Sequence, residues 1–158
     1  MAKNIGEQIH IVPVYFAANP ATGVVADFIN MGLFHKVEFI ISFGTMGTAD
    51  YTFKMQASAA QAGTTATDLA FEYRKSAAMG TDTMGAVTAV AAESTCTAAY
   101  LTDSTMLFVV DIQSDEATAA KPYVGVYLNR GSSATAQVQT TALCWPRYAQ
   151  ATPSGALT

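Results

Sequence analysis

Three stretches of this 158-residue chain alternate apolar and polar side chains residue by residue. In His35–Phe43, Val37, Phe39, Ile41 and Phe43 fall on one side of an extended backbone. Lys36, Glu38 and Ser42 fall on the other, and Ile40 is the exception. In Tyr51–Ala57, Tyr51, Phe53 and Met55 alternate with Thr52, Lys54 and Gln56. In Asp68–Arg74, Leu69, Phe71 and Tyr73 oppose Glu72 and Arg74. A period of two lines up one face of a strand, whereas a helix needs apolar residues three and four apart. The chain must therefore build sheets, each with one face turned to a core.

Further strand-like runs are Ile9–Phe16, Val24–Asn30, Thr105–Ile112, Tyr123–Arg130 and Ala134–Trp145. The mixed faces of Thr105–Ile112 predict a strand buried on both sides. Pro13 lacks an N–H, which predicts an edge or bulged strand there. Gly125 inside a strand predicts a bulge or a close approach of other atoms to the backbone. The alanines of Ala86–Tyr100 permit a helix, but Val87, Thr88, Val90, Thr95 and Thr97 favour two short strands. The turn-rich segment Gly44–Asp50 predicts a hairpin or meander step between its flanking strands. Asp115–Ala120 and Ala57–Ala62 each have room for one helical turn. The sum is an all-β chain: a single β-sandwich or barrel-like, jelly-roll-type domain of about eight to ten antiparallel strands. The expected organisation is an N-terminal arm over residues 1–8, the domain over residues 9–148 and a C-terminal arm over residues 149–158.

Composition narrows the function. Charged residues make up 13% of the chain, about half of the roughly 25% that is usual. Hydrophobic residues make up 51%, which excludes the signature of disorder. Eight basic residues against twelve acidic ones give a net charge of −4, the wrong sign for a nucleic-acid footprint. No apolar run approaches the roughly 20 residues of a membrane helix; Val37–Phe43 is broken by Glu38 and Ser42. Met1–Ile9 has no continuous apolar stretch of the secretory kind, so synthesis in a cytoplasm is expected.

The search for chemistry yields candidates by residue type and no motif. His10 and His35 are the only histidines, and neither has a nucleophile or acid at a recognised spacing. Nucleophile-elbow, phosphate-loop and dinucleotide-binding patterns are missing from the sequence. The twelve acids are Glu7, Asp27, Glu38, Asp50, Asp68, Glu72, Asp82, Glu93, Asp103, Asp111, Asp115 and Glu116. Their spacing fits no calcium loop, and turn acids mostly cap loops or stay solvated. Cys96 and Cys144 lie outside any C-x-x-C pair, and the expectation is two free, buried thiols. Trp145, Tyr148, Tyr123 and Tyr127 suit either a sugar-binding platform or ordinary core and interface packing. No catalytic, cofactor-binding or metal-ligating residue is assigned, and an enzyme is not expected. Low charge with many small residues instead suits surface laid against other protein, because interface centres are depleted of charge.

Three segments carry a family likeness. They are Ile9-His-Ile-Val-Pro-Val-Tyr-Phe16, the strand-turn-strand run Phe28-Ile-Asn-Met-Gly-Leu-Phe-His-Lys-Val-Glu-Phe39, and the closing Trp145-Pro-Arg-Tyr-Ala149. The chain resembles a group of small structural proteins of tailed bacteriophages, often found with the capsid genes. That group closes on Ala-Arg-Tyr-Ala, so Trp145 and Pro146 depart from it. Asp68–Glu116 matches only in pattern. The resemblance implies a virion component on the capsid surface. It implies a decoration, or cement, protein that binds across major capsid protein subunits. Such proteins are commonly trimers and sometimes dimers, so a homotrimer is the favoured expectation. No cofactor, nucleic-acid partner or membrane partner is expected from the composition and motif search. The alternatives are a neck, tail or spike component and a carbohydrate-binding module using Trp145 and nearby tyrosines.

Overall fold

A computed structural model describes residues 8–18, 23–47, 49–77, 80–92, 94–99, 103, 105–131 and 137–148. The described residues form twelve strands and no helix. In chain order they are β1 (His10–Ala18), β2 (Val24–Val25), β3 (Ile29–Asn30), β4 (Phe34–Phe43), β5 (Tyr51–Ser58) and β6 (Thr67–Leu69). There follow β7 (Phe71–Lys75), β8 (Thr88–Val90), β9 (Cys96–Ala98), β10 (Leu107–Gln113), β11 (Tyr123–Arg130) and β12 (Gln137–Pro146).

The pairing is nested. β1 pairs β12, β2 and β3 pair β11, β4 pairs β10, and β5 pairs β6, all antiparallel. The chain thus doubles back on itself as one long ribbon. Rolling that ribbon brings β12 onto β4 and β11 onto β5. Two sheets result: β1-β12-β4-β10-β7-β8, and β2-β11-β5-β6 with β3 also on β11 and β9 also on β5. This is the strand order of a jelly-roll sandwich, with β2 and β3 together counting as one strand and β7, β8 and β9 inserted between the fifth and sixth strands of the basic eight. The barrel-like alternative is corrected: the two sheets stay open.

The core lies between the sheets and follows the alternation read from sequence. Val37, Phe39, Ile41 and Phe43 of β4 are buried, as are Phe108, Val110 and Ile112 of β10 and Val138, Ala142 and Cys144 of β12. The second sheet answers with Tyr51, Phe53 and Met55 of β5 and Val124, Val126 and Leu128 of β11. Phe108 sits at the centre of an aromatic cluster. Its ring lies 5.7 Å from Phe43, 5.3 Å from Phe53 and 5.6 Å from Tyr73.

Several local expectations need correction. Asp68–Arg74 is two strands in different sheets, with the chain crossing the sandwich at Ala70. The apolar phase survives because Leu69, Phe71 and Tyr73 all meet the same core. Gly44–Asp50 makes no hairpin; β4 and β5 belong to different sheets, so that segment is a bridge across the sandwich edge. Val24–Asn30 breaks into β2 and β3, both on β11. Neither Ala57–Ala62 nor Asp115–Ala120 forms a helical turn; the first finishes β5 and enters turns, the second holds a Thr118–Lys121 bridge. Pro13 sits on edge strand β1 beside a register shift between Pro13 and Tyr15, so it is both edge and bulge. Of the predicted arms, only Gln8 is among the described residues.

Candidate interaction surface

The outer face of the first sheet is the unusual feature of this fold. An antiparallel sandwich strand normally turns its second face to water and fills it with polar residues. Here the pairing registers align three rows across the strands. The first is Ile11, Leu143, Glu38, Asp111, Glu72 and Ala89. The middle row is Pro13, Thr141, Ile40, Val109 and Arg74. The third is Phe16, Gln139, Ser42 and Leu107. From β1 to β10 the middle and third rows hold no charge. Ile11 is 53% exposed and Phe16 70% exposed, and Ile40, Leu107, Val109 and Leu143 are half-buried.

Charge gathers toward the other side of the same face. Lys36 Nζ lies 2.6 Å from Glu38 and 3.0 Å from Asp111, so one lysine serves two carboxylates. Beyond them the face turns concave, with a hollow of about 860 Å³ lined by Glu72, Arg74, Val87, Ala89, Val109 and Asp111. Glu116 borders it. Burial first, then the nearby charges of Asp115, Glu72 and Asp111, raise its carboxyl above the ordinary range, although it accepts a hydrogen bond from the Gln113 N–H.

The outer face of the second sheet is closed by the chain's own residues. Phe28 is fully buried and its ring lies against Gly125, where any Cβ would overlap it. The β11–β5 register runs through Gly125 without a shift, so of the two readings of this glycine the close approach is the correct one. Beside it, Lys54 Nζ donates to Asp68 Oδ2 at 2.6 Å and Gln56 Nε2 donates to Asp68 Oδ1 at 2.7 Å. Lys54 also sits 5.2 Å from the Tyr127 ring centre.

Burial by itself raises the Asp68 pKa. The hydrogen bonds from Lys54 and Gln56 and the lysine's charge outweigh it, and the net shift is downward. A depressed carboxylate stabilises the fold above its unfolded pKa and loses that contribution as pH falls through the folded value. Asp68→Asn is therefore expected to cost about 1 kcal/mol at pH 7, measured by urea unfolding. The gap between variant and wild type should close as pH drops below about 3.9. A constant gap down to pH 2 would contradict the assignment.

The residues singled out by type do not converge. His10 packs edge-on against Phe34 at 5.4 Å. His35 Nδ1 lies 3.2 Å from the Pro146 carbonyl oxygen. Trp145 is on the first sheet with Lys36 Nζ 5.1 Å from its ring centre, while Tyr123 and Tyr127 are on the second. Tyr148 is 79% exposed just beyond β12. Trp145, Tyr123 and Tyr127 are thus split between sheets and form no common platform. Of the remaining acids, Asp103 pairs with Lys75 at 2.6 Å and also accepts from the Ala99 N–H. Among the described residues no group of three His, Cys, Asp or Glu is placed to hold a metal, and no helix is long and apolar enough to cross a membrane.

The cysteines are both free and buried, in different sheets. Burial raises Cys144 to about 12. It raises Cys96 to about 11, against a hydrogen bond with Tyr73 that pulls down. The thiolate is the reactive form, so at pH 8 the folded protein should resist iodoacetamide for hours. Both thiols should label fully in 6 M guanidinium, read by mass spectrometry. Rapid labelling of the native protein would refute their burial.

Sequence reasoning missed the apolar outer face and the role of Phe28. The signal for the first was present in the residues that broke alternation: Ile40 in β4, and Leu107 and Val109 in β10.

The fold and surface define a jelly-roll sandwich with one self-covered outer face and one apolar outer face. No family model, curated protein or solved structure matches the chain.

Proposed function

We propose that this chain is a structural protein whose work is to lie against other protein. In particular, we read it as a decoration protein of a tailed-phage head, binding across major capsid protein subunits on the capsid surface. The observation that carries the first part is the charge-free band from Pro13 and Phe16 across Ile40 to Val109 and Leu107. Apolar patches of this kind mark sites that protein covers. The low charge of the whole chain fits the same reading. The phage assignment rests on the resemblance of the three quoted segments. A jelly roll is compatible with it, since viral capsid domains use that architecture, but lectins use it too and fold alone does not decide.

A protein that binds the assembled shell and not its separated subunits stabilises the shell by mass action. The test is to mix purified protein with undecorated heads and image them by electron microscopy. Regular density over the whole lattice is the expected result. Density confined to the tail vertex would replace decoration with a neck or tail role, and no density on the heads would remove the reading. The carbohydrate alternative loses support because Trp145 is engaged by Lys36 and stands apart from Tyr123 and Tyr127.

A further inference from the structure

The outer face of the first sheet comes close to the size of one standard interface and is arranged to fit itself. Its three rows, with Trp145, Lys36 and Gln113 beyond the first, set roughly eighteen residues on one surface. A standard interface uses about 20–30 per side. The arrangement of charge then selects the occupant. Consider a two-fold axis lying in the plane of the face, running across the strands through the middle row. It lays each strand antiparallel over its own copy. Ile40 meets Ile40 and Val109 meets Val109. The first row falls on the third, so Ile11 and Leu143 meet Phe16 and Gln139, and Glu38 and Asp111 meet Ser42 and Leu107. Ile11 covers Phe16, the uncharged middle row covers itself from Pro13 to Val109, Glu38 and Asp111 each face an uncharged side chain, and no carboxylate is set on another. The single like-charge meeting, Arg74 on Arg74, falls at the charged end, one row from Glu72 of each copy. An axis along the strands does the opposite: it lays the apolar β1 side on the charged β7–β8 side.

The edge of the sheet points the same way. β1 is nine residues long, among the described residues no strand pairs with its outer side, and an edge of that length invites pairing with another strand. Pro13 removes a donor there, and the adjacent bulge breaks the register. Sheet extension is blocked at the middle of the edge, and face-to-face stacking remains open.

We propose that two copies of this chain pair through the outer faces of their first sheets, about a two-fold axis passing through the Pro13–Thr141–Ile40–Val109 row. The proposal rests on reading that face as one covered by protein, and it names a second copy as the cover. An isologous contact closes at two, so the free protein is a dimer and not the trimer that the family resemblance favours.

Sedimentation equilibrium on the purified protein, without heads, tests it. A dimer is expected at about 100 µM. Ile40→Asp sets two carboxylates on the axis, and Ser42→Asp places one over Glu38 of the second copy. Each should weaken pairing at least tenfold, with the thermal midpoint showing that the variant is folded. Should one variant fail to fold, the other carries the test. Ile40→Cys should yield covalent dimers with a short bismaleimide, because that position meets itself. Thr52→Cys, on the second sheet, should not, and the buried native thiols should stay silent. A monomer at about 100 µM, a trimer, dimers that survive both aspartate variants, or an Ile40→Cys protein that does not cross-link would each overturn the proposal. Its failure is separable from that of the decoration reading. Dimers that ignore heads sink decoration alone, and heads coated by monomers sink the pairing alone.

Discussion

Gly125→Ala should destabilise the fold by about 2–3 kcal/mol, and Gly125→Val by more. The reason is local and steric. Gly125 lies mid-strand in β11, paired in register with Gln56, and its missing side chain is the space that the Phe28 ring occupies. A Cβ there overlaps Cδ1, Cε1 and Cγ of that ring. Phe28 has nowhere to retreat, being fully buried and held by its backbone N–H on the Gln61 carbonyl. Against a typical total stability of about 5–15 kcal/mol, the valine variant should be partly unfolded at 37 °C. Urea unfolding gives the number, and a double-mutant cycle gives the cause. Phe28→Ala alone should cost several kcal/mol as a cavity, but combined with Gly125→Ala it should cost less than the sum, because the two changes share one space. Strict additivity would show that the overlap is relieved some other way.

Phe108→Ala is expected to cost about 3–5 kcal/mol. Phe108 joins the two sheets: Phe43 is on its own sheet, Phe53 on the facing one and Tyr73 on the inserted strand β7. Truncation leaves a cavity that three large rings cannot close, because each is fixed by its own strand. It also removes edge-to-face contacts, each contributing about 0.5–1.5 kcal/mol beyond area. Phe108→Leu, which keeps most of the volume, should cost about 1–2 kcal/mol. Denaturant midpoints of the two variants check this. An alanine variant within 1 kcal/mol of wild type would mean that the core repacks, contrary to the interlocked geometry.

The legible part of this protein was its periodicity. β4 and β5 stand close to where alternation put them, because one wet face and one dry face impose a period of two whatever lies across the gap, and β10 and β11 stand close to the apolar runs between turns. The core face of β4 could be named residue by residue. The short strands β8 and β9 were also legible, from β-branched residues at intervals. The errors share one cause. Asp68–Arg74 read as one strand, and Gly44–Asp50 as a hairpin, because period two records which side is buried and not which sheet a strand joins. The chain crosses between sheets at Ala70 and after Phe43 without changing phase, since both sheets face the same core.

The candidate surface was less legible for a related reason. Ile40 looked like a lone exception, and Leu107 and Val109 looked like signs of double burial. Only the register of β1, β12, β4 and β10 shows that these exceptions lie side by side on one outer face. Gly125 shows the same limit: sequence marked a special backbone position, and only the return of Phe28 over β11 explained it.

By itself, then, the sequence determined that this chain is an all-β domain with a low-charge surface and a known set of inward residues, because burial periodicity is a property of neighbours along the chain. The tertiary structure alone decided the nested strand pairing, the closing of one outer face by Phe28, and the gathering of scattered apolar residues into the other. Those depend on contacts between residues distant in sequence, and local alternation carries no information about which strand lies beside which.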